Sequence, residues 1–532
     1  MVPKSDIPRS SFRRQSTHKT TFDSGYLVPV YVDEVLPGDT FNLKMTAFAR
    51  MATPIFPVMD NLYLDSFFFF VPNRLVWTNW VKFMGEQANP ADSISYSLPQ
   101  ATSPASGYAV GSLQDYMGLP TVGQVGGGNA FAHTNLPLRC YNLIWNQWFR
   151  DENLQNSVTV DMGDGPDTVG NYTLLRRGKR HDYFTSALPW VQKGATSVSL
   201  PLGTSATVKT NASALVTTSS TTPLSWRDAT SGLRPGASLS AGIRLTTGAA
   251  TSTATAPGAL GSDFYPDNLY ADLSTATAAT INQIRQAFQI QKLLEKEARG
   301  GTRYTEIVRI HFGVTSPDSR LQRPEYLGGG SSPVNIHTIT QNTQTGLTGG
   351  TTPIGTVSGA ATVTAHHGFT QSFVEHGFVI GLVSVRADLT YQQGLRRMWS
   401  RFTKYDFYFP VFATLGEQSI LNKEIYLVGA AADANTFGYQ ERWAEYRYLP
   451  SMITGLFRST AAGTIDSWHL AQKFTSLPTL DSTFIQDTPP VSRVVAVGSG
   501  ANGQQFIFDS FFDIKTARAM PLYSVPGLVD HF

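Results

Sequence analysis

Four basic residues lie within five positions of the stretch RRGKRHDYFTSALPW, which begins at Arg176. Arg176, Arg177, Lys179 and Arg180 could neutralise phosphate groups, while the aromatic residues that follow could stack on unpaired bases. This combination predicts a surface that binds single-stranded nucleic acid. Salt bridges between subunits would use the same residue types equally well, so the pattern leaves both interpretations open.

Two other patterns could support chemistry but do so weakly. DMGDGPD brings Asp161, Asp164 and Asp167 together, yet their spacing is not that of an EF-hand loop, and a polar turn is favoured over a calcium site. GSGANG at 498–503 matches the dinucleotide-binding motif, but QQFIFDSFF after it predicts a strand instead of the helix that receives a pyrophosphate. We interpret this glycine run as a hairpin turn.

Histidine and cysteine do not form a recognisable site in the sequence. His366, His367 and His376 lack the accompanying cysteines or acids of a zinc site. Cys140 is the single cysteine, so we expect a buried free thiol and no intrachain disulfide. We find no nucleophile elbow, P-loop or carboxylate pair, and we therefore expect no catalytic residues, no metal and no cofactor.

The composition indicates a chain that hides its surface in an assembly. Of the 532 residues, 12% are aromatic and only 15% are charged, and the net charge is +2, whereas typical globular proteins have about 25% charged residues. No segment has the roughly 20 apolar residues of a membrane-spanning helix, and the start lacks the apolar region of a secretory signal. We therefore expect a soluble protein that is made and kept inside a cell and is not inserted into a membrane.

Positive charge is concentrated near the N-terminus. Residues 1–24 are rich in Pro and Ser, and we interpret them as a basic arm that stays mobile until it meets an anion or a partner. A solvated tail without a role is the alternative. The residues of this arm that we predict to face DNA are Lys4, Arg9, Arg13, Arg14 and Lys19.

Four consecutive phenylalanines follow Asp65 in a segment that predicts a strand. Because strand side chains alternate, Phe68 and Phe70 should face the core, while Phe67 and Phe69 should face inserted helices or a neighbouring subunit.

Three segments predict helices: one capped by Asn73, one at 136–155, and one that begins at Thr280 and stops at Gly300. In the second segment, Trp145 and Trp148 share one face and are expected to make core or intersubunit contacts.

Strand-like segments dominate the rest of the chain, among them RYTEIVRIHFGV, YDFYFPVFATL and QQFIFDSFFDIKTAR. They are interrupted by two long insertions rich in Ser, Thr and Gly, at 195–261 and at 328–364, which we predict to be a surface insertion and a second flexible insertion. We expect residues 25–532 to form a single, mainly β domain, a sandwich of Greek-key or jelly-roll type with a few helices.

The order of several long segments resembles the major capsid proteins of gokushoviruses, the branch of the Microviridae that comprises small single-stranded DNA bacteriophages. The segments that carry the resemblance span the whole chain: RSSF, PGDTF, PVMDNLYLDSFFFFVPNRLVW, LPLRCYNLIWNQWFRDENLQ, RRGKRHDYFTSALPWVQKG, FGYQERWAEYRYLPS and the final DHF.

The resemblance implies an eight-stranded viral jelly roll, sixty copies in a T=1 icosahedral shell around a circular single-stranded DNA genome, and a surface insertion at the threefold axes for host attachment. It also implies a small basic DNA-binding protein, a minor pilot protein, an internal scaffolding protein and a host cell-surface receptor as partners, with assembly in the bacterial cytoplasm. A carbohydrate-binding β-sandwich protein of a surface layer or fibre is the alternative, and a hydrolase ranks third.

Overall fold

The computed structural model describes residues 8–89, 95–193, 207–210, 226–228, 264–266, 269–272, 281–300, 306, 309–311, 322–343, 354–496 and 504–523. The chain divides into two compact units. One comprises Met1–Val191 and Thr302–Phe532, and the other comprises Gln192–Gly301. The second unit is longer than the predicted insertion at 195–261, because it includes a helix on its C-terminal side.

The first unit is built around antiparallel strands, and the second unit contains four short ones. The strands of the described residues are β1 (Arg9–Phe22), β2 (Val28–Val35), β3 (Thr40–Met51), β4 (Leu62–Pro72), β5 (Gln100–Thr102), β6 (Ala132–Thr134), β7 (Thr207–Thr210), β8 (Trp226–Asp228), β9 (Phe264–Pro266), β10 (Leu269–Asp272), β11 (Glu325–Pro333), β12 (Asn335–Thr340), β13 (Val357–Ser372), β14 (Gly377–Ala387), β15 (Glu417–Leu421), β16 (Thr436–Glu441) and β17 (Phe506–Ala519).

Two large sheets form the sandwich. One has the order β1-β17-β3-β13-β12, and the other has the order β11-β4-β14-β2. Without β12, eight strands remain, and their pairing is nested: the first pairs with the eighth, the second with the seventh, the third with the sixth and the fourth with the fifth. This is the pairing of a double-sheet jelly roll, with β12 added at one edge. The predicted mainly β, jelly-roll class is confirmed.

The hydrophobic core lies between the two sheets. It is built from alternate residues of the strands, as in β17, where Phe506, Phe508 and Phe512 point inward while Ile507 and Phe511 are exposed. This period of two is the signature of a sheet that packs on one face.

The four phenylalanines of β4 divide between two clusters. Phe68 and Phe70 belong to the core between the sheets, whereas Phe69 lies in a second cluster on the outer face of the four-stranded sheet, with Phe67 packed against that cluster. The ring centroids of Phe67 and Phe149 are 5.2 Å apart in a T-shaped arrangement. The second face of β4 is therefore covered by this same chain.

A helix and its extension provide that cover. The α-helices of the described residues are α1 (Trp80–Phe83), α2 (Leu113–Tyr116), α3 (Leu136–Ile144), α4 (Ile281–Gly300), α5 (Asn422–Ile425) and α6 (Ser482–Ile485). A π-helical turn at Trp145–Phe149 extends α3. Trp145 is buried and donates through Nε1 to the carbonyl oxygen of Arg176 at 2.8 Å, while Trp148, partly exposed, packs on Phe69 with ring centroids 5.5 Å apart.

Most of the helix predicted after Asn73 is absent, so that prediction is wrong. The chain forms a 3-10 turn at Asn73–Leu75, and α1 has only four residues. Val76 and Trp77 between them are fully buried, and the Trp77 indole donates to Asp164 Oδ1 at 2.7 Å. Both side chains belong to the cluster on the outer face of the four-stranded sheet, so this segment is held by tertiary packing and not by helix periodicity.

The third predicted helix is present as α4 and ends at Gly300 as predicted, although the predicted capping residue Thr280 lies outside the described residues. The second unit also contains two two-stranded sheets, formed by β7 with β10 and by β8 with β9. Further 3-10 turns of the described residues are Val169–Asn171, Arg397–Ser400, Lys404–Asp406, Pro410–Phe412, Ala431–Ala434, Ala444–Tyr446, Gly455–Phe457, Asp466–Trp468 and Val491–Arg493.

Most of the predicted mobile arm is a structural strand, so that prediction is wrong for residues 9–22. These residues form β1, which pairs along its length with β17, from Arg9 opposite Ala519 to Phe22 opposite Phe506. The partner strand, β17, lies near the other end of the chain. The charged and polar residues of β1 also hide the alternation of apolar and polar residues that is typical of a strand. Sequence reading therefore had no local signal for the pairing.

The predicted flexible insertion at 328–364 is also largely sheet. Most of β11, all of β12 and the start of β13 lie within it, while 344–353 fall outside the described residues. Its small residues fit close packing: a Cβ at Gly330 would lie 2.4 Å from the His367 ring, and one at Gly329 would lie 2.1 Å from the Ser66 carbonyl oxygen. The composition reflects close approach of neighbouring strands, not flexibility.

Candidate assembly and nucleic-acid surfaces

Three members of the 176–180 basic run make aromatic contacts inside the chain, and Arg177 lies 5.6 Å from the centroid of Phe67. The Arg176 guanidinium lies over the Tyr26 ring, 3.9 Å from its centroid, and the Lys179 ammonium lies 4.3 Å from the centroid of Phe484. Lys179 is buried, and burial lowers its pKa to about 8, although the charge of Asp487 acts in the opposite direction. Such a lysine is not available to bind a phosphate at the surface.

Arg177 is held by an acid of the second sheet. Asp65 in β4 accepts through Oδ2 from Arg177 Nη1 at 2.6 Å and from Arg386 Nε at 2.9 Å, and all three side chains are largely buried. The predicted DNA-facing cluster is therefore wrong for Arg177 and Lys179, because their partners come from distant parts of the chain. Arg180 alone in the run is exposed.

The basic residues of β1 separate onto two faces. Arg14 points toward β2 and its Nη2 lies 2.6 Å from Asp33 Oδ2, so it joins the two sheets. Arg9, Arg13 and Lys19 are exposed. Lys4 lies outside the described residues. Arg14 is therefore a structural residue, while Arg9, Arg13 and Lys19 lie at the surface, where Arg13 pairs with Asp513 and Lys19 pairs with Asp509.

The outer face of the five-stranded sheet carries these exposed residues together with others from β3 and β17. We call this surface the basic sheet face. Its charged members in the described residues are Arg9, Arg13, Lys19, Lys44, Arg50, Asp509, Asp513 and Lys515. Phe48 and Phe511 are also exposed on it, at 46% and 40%. Basic groups thus share one exposed sheet face with aromatic rings.

A second surface is built from the long connection between β14 and β17. We call it the aromatic surface, defined by the exposed apolar side chains Met398, Trp399, Phe402, Tyr405, Phe407, Tyr408, Phe409, Val411, Leu415, Tyr446, Leu449, Met452 and Leu456. Phe402 is 85% exposed and Leu449 is 80% exposed. A cavity of about 530 Å³ opens beside Trp399 and Met452. Exposed apolar groups at this density mark an interaction site.

Ion pairs hold the aromatic surface in a defined shape. Arg401 Nη2 lies 3.1 Å from Glu445 Oε1, and its guanidinium covers the Tyr446 ring at 4.3 Å from the centroid. Arg397 Nη1 lies 3.0 Å from the buried Glu424. The exposed rings are therefore presented on a fixed scaffold, which reduces the entropy lost when a partner binds.

The strand predicted for YDFYFPVFATL is absent, and its residues contribute to the aromatic surface instead. The segment instead forms two 3-10 turns, at Lys404–Asp406 and at Pro410–Phe412, and its rings point outward. Pro410 cannot donate to a strand ladder, and it was the available signal against a central strand.

The three aspartates near residue 164 do not form a cation site. Asp167 is buried and accepts from Arg139 Nε at 2.8 Å, whereas Asp164 accepts from the Trp77 indole and the Asn79 amide. Asp161 accepts from the backbone N–H of Gly163. Each carboxylate thus has its own protein donors.

The three histidines likewise have separate partners and do not form a common site. His367 shares hydrogen bonds with Ser66 and Ser332, and His366 with Thr46. The His376 ring packs on Trp80, with centroids 5.6 Å apart. Within the described residues no group of three potential metal ligands occurs.

Two further expectations can be compared with the structure. Cys140 is a buried free thiol, and burial raises its pKa. Among the described helices none is both long and apolar enough to span a bilayer. The glycine run at 498–503 lies outside the described residues.

Comparison with known proteins gives consistent results along the chain. The family model described as "Capsid protein (F protein)" matches residues 1–528. The chain is 45% identical to capsid protein VP1 of Bdellovibrio phage phiMH2K, covering 100% of this chain and 97% of the relative. It is also 45% identical to capsid protein VP1 of Chlamydia phage 1 and 36% identical to that of Spiroplasma virus 4, with 99% of this chain and 97% of the relative covered in both cases.

Proposed function

Because the chain belongs to the phage capsid protein (F protein) family, we propose that sixty copies of it form a T=1 icosahedral shell around a circular single-stranded DNA genome. The chain is a structural major capsid protein of a phage virion, and its role is assembly, not catalysis. The finer points, namely the copy number, the genome type and the attachment function, follow from the resemblance of its sequence to gokushovirus capsid proteins.

The aromatic surface is the observation that supports assembly most directly. A monomer in water gains nothing from exposing Phe402, Tyr405 and Leu449, whereas burial stabilises by about 25 cal/mol for each Å² of apolar area. Charged residues of both signs, such as Arg401 and Glu445, lie among the rings. A second copy of a nearly neutral chain fits such a mixed surface better than a strongly charged partner does.

Other partners follow from the charge of the chain. A net charge of +2 for each copy would leave most phosphates of a packaged genome without a counter-charge. A small basic DNA-binding protein inside the shell would supply it. A minor pilot protein and, during assembly in the host cytoplasm, an internal scaffolding protein complete the proposed set of viral partners.

Host attachment is assigned to the insertion at 195–261. Its Ser, Thr and Gly composition suits an outward extension that can change without affecting the sandwich. The insertion falls in the second compact unit, Gln192–Gly301, which is distinct from the unit that holds the jelly roll. A receptor on the bacterial surface is its proposed partner.

Replacement of exposed aromatic residues tests the assembly role. We expect Phe402→Ser combined with Leu449→Ser to leave the protomer folded, because both side chains are exposed, but to prevent shell formation. Sedimentation would then show small species in place of shells, while circular dichroism stays unchanged.

Val374→Ser is the matched control, since Val374 is 83% exposed in the turn between β13 and β14. It should assemble normally. Normal shells from the double variant would overturn the assignment of the aromatic surface to subunit contacts.

A further inference from the structure

The basic sheet face has the properties of a platform for unpaired nucleotides. We propose that it binds single-stranded DNA directly, with bases stacked on Phe48 and Phe511 and phosphates held by the surrounding lysines and arginines. This inference rests on the proposed function, since it assigns the genome to one surface of the chain. The inference goes beyond the proposed function because it states that the capsid protein contacts the bases of the DNA as well as its phosphates.

The strand register places the two rings side by side. Phe48 in β3 lies opposite Asp509 in β17, and Phe511 is two positions further along β17. The two residues are therefore diagonal neighbours on one face, and such positions lie about 7 Å apart. Ile507, 59% exposed, is diagonal to Phe48 on its other side and extends the apolar stripe. Two successive unstacked bases can occupy two such adjacent rings.

Positive charge surrounds this stripe. Six basic residues and two acidic residues share the face, and the acids Asp509 and Asp513 are already paired with Lys19 and Arg13. In the described part of the chain, Lys44, Arg50 and Lys515 lie in no ion pair. They flank the rings along β3 and β17: Arg50 lies opposite Ile507, Lys44 lies opposite Asp513, and Lys515 lies two positions beyond Asp513.

The chemistry favours a single strand over a duplex. An exposed phenylalanine can stack only on a base whose face is free, and a duplex buries its base faces and offers groove edges. A flat sheet with exposed rings is also how several modules bind unpaired RNA.

The excess of positive charge on this face favours a polyanion over a second copy of the nearly neutral chain. The opposite side of the sandwich is covered by α3 and its extension, so among the described residues it presents no comparable open sheet.

Binding of a fluorescein-labelled oligothymidylate by the full-length chain tests the proposal. Phe48→Thr and Phe511→Thr should each weaken binding roughly 5- to 150-fold, because base–aromatic stacking has this range of strength. Thr keeps the strand propensity of the site. Lys44→Gln with Lys515→Gln should flatten the dependence of log affinity on log salt by about 0.7 for each phosphate that is no longer neutralised.

Two control variants separate stacking from other causes. Ile507→Thr removes apolar area of the same face without removing a ring, and we expect a change of about twofold or less. Phe402→Thr on the aromatic surface should leave oligonucleotide binding unchanged while it impairs shell formation. Equal losses for Ile507→Thr and Phe48→Thr would overturn stacking.

Particle analysis distinguishes failure of this inference from failure of the proposed function. We expect Phe48→Thr with Phe511→Thr to form shells in normal yield that contain less DNA or lose it at high salt. Shells with a normal DNA content, together with unchanged oligonucleotide binding, would refute the platform but leave the capsid function intact. Loss of all shells would assign the basic sheet face to subunit contact and also refute the inference.

Discussion

Arg139 and Asp167 form an ion pair in which both side chains are fully buried, with Arg139 Nε donating to Asp167 Oδ2 at 2.8 Å. Tyr172 Oη donates to the same oxygen at 2.6 Å, and Arg139 Nη1 also donates to the carbonyl oxygens of Val76 and Gly163. The pair thereby ties α3 to the loop that follows it, and Arg139 also ties the helix to the segment around Val76. Helix α3 in turn covers the outer phenylalanines of β4.

Removal of one member of this pair should therefore destabilise the fold. We expect Asp167→Asn to reduce the free energy of unfolding by about 3–5 kcal/mol, because it leaves the Arg139 charge buried without a counter-charge. Urea unfolding measures the difference. Asp161→Asn is the matched control, since Asp161 is 3.8 Å from Arg139 but 39% exposed, and its loss should cost less than about 1 kcal/mol.

The same pair predicts sensitivity to acid. Burial opposes ionisation of Asp167, but hydrogen bonds from Arg139, Tyr172 and Asn135 outweigh it, so its pKa is lowered. A lowered pKa in the folded state gives stability that is present above the unfolded pKa and is lost as pH falls through the folded value. The stability difference between the wild type and Asp167→Asn should therefore shrink below about pH 4. A difference that stays constant to about pH 2 would contradict this.

The two faces of β4 predict different costs of truncation. Phe68 is fully buried between the sheets, so Phe68→Ala should cost about 3–5 kcal/mol and give largely insoluble protein. Phe67 is only partly buried, against Phe149, and Phe67→Ala should leave a folded protomer. Soluble yield and thermal unfolding of the two variants provide the comparison. A stable Phe68→Ala variant that assembles would show that the core tolerates the cavity.

Lys179 predicts a rise in stability at alkaline pH. Burial lowers its pKa from 10.5 to about 8, so the folded state releases a proton that the unfolded state retains. Between about pH 8 and pH 10.5 this group makes the unfolding free energy increase with pH, by up to about 3 kcal/mol. Lys179→Met should remove that increase, whereas Lys44→Met, at an exposed site, should retain it. Parallel pH profiles for wild type and Lys179→Met would contradict the prediction.

The insertion at 195–261 should be separable from the shell. Its replacement by a short Gly/Ser linker should leave the jelly roll folded and the shells assembled but abolish adsorption to host cells, because surface insertions carry recognition without carrying the core. Particle yield and an adsorption assay measure the two effects separately. Normal adsorption would place recognition elsewhere, and loss of folded protomer would show that the insertion is structural.

Local patterns in the sequence predicted what depends on near neighbours. The alternation at Phe67–Phe70, the start of α3 and the stop of α4 at Gly300 all follow from side-chain periodicity and capping, which operate over a few residues. These features could be read without knowledge of the rest of the chain.

The failures have a common physical cause, which is pairing over long distances. Arg177 looked like a surface cation because its partner Asp65 lies in a strand more than a hundred positions away. Residues 9–22 looked mobile because β17, which satisfies their backbone, lies near the opposite end of the chain. The composition of a segment carries no information about the distant segment that pairs with it. Because a jelly roll is stabilised mainly by contacts between distant segments, composition alone could not predict these pairs.

The pairing of β1 with β17 also has a consequence for synthesis on the ribosome. β17 lies between β1 and β3 in its sheet, so neither of those strands can complete its hydrogen bonds until Phe506–Ala519 have emerged. Closing so long a loop slows folding, and the waiting strands expose unpaired edges. A chain that stops before Phe506 leaves a gap between β1 and β3, so we expect products that end before this strand to be kept out of the shell.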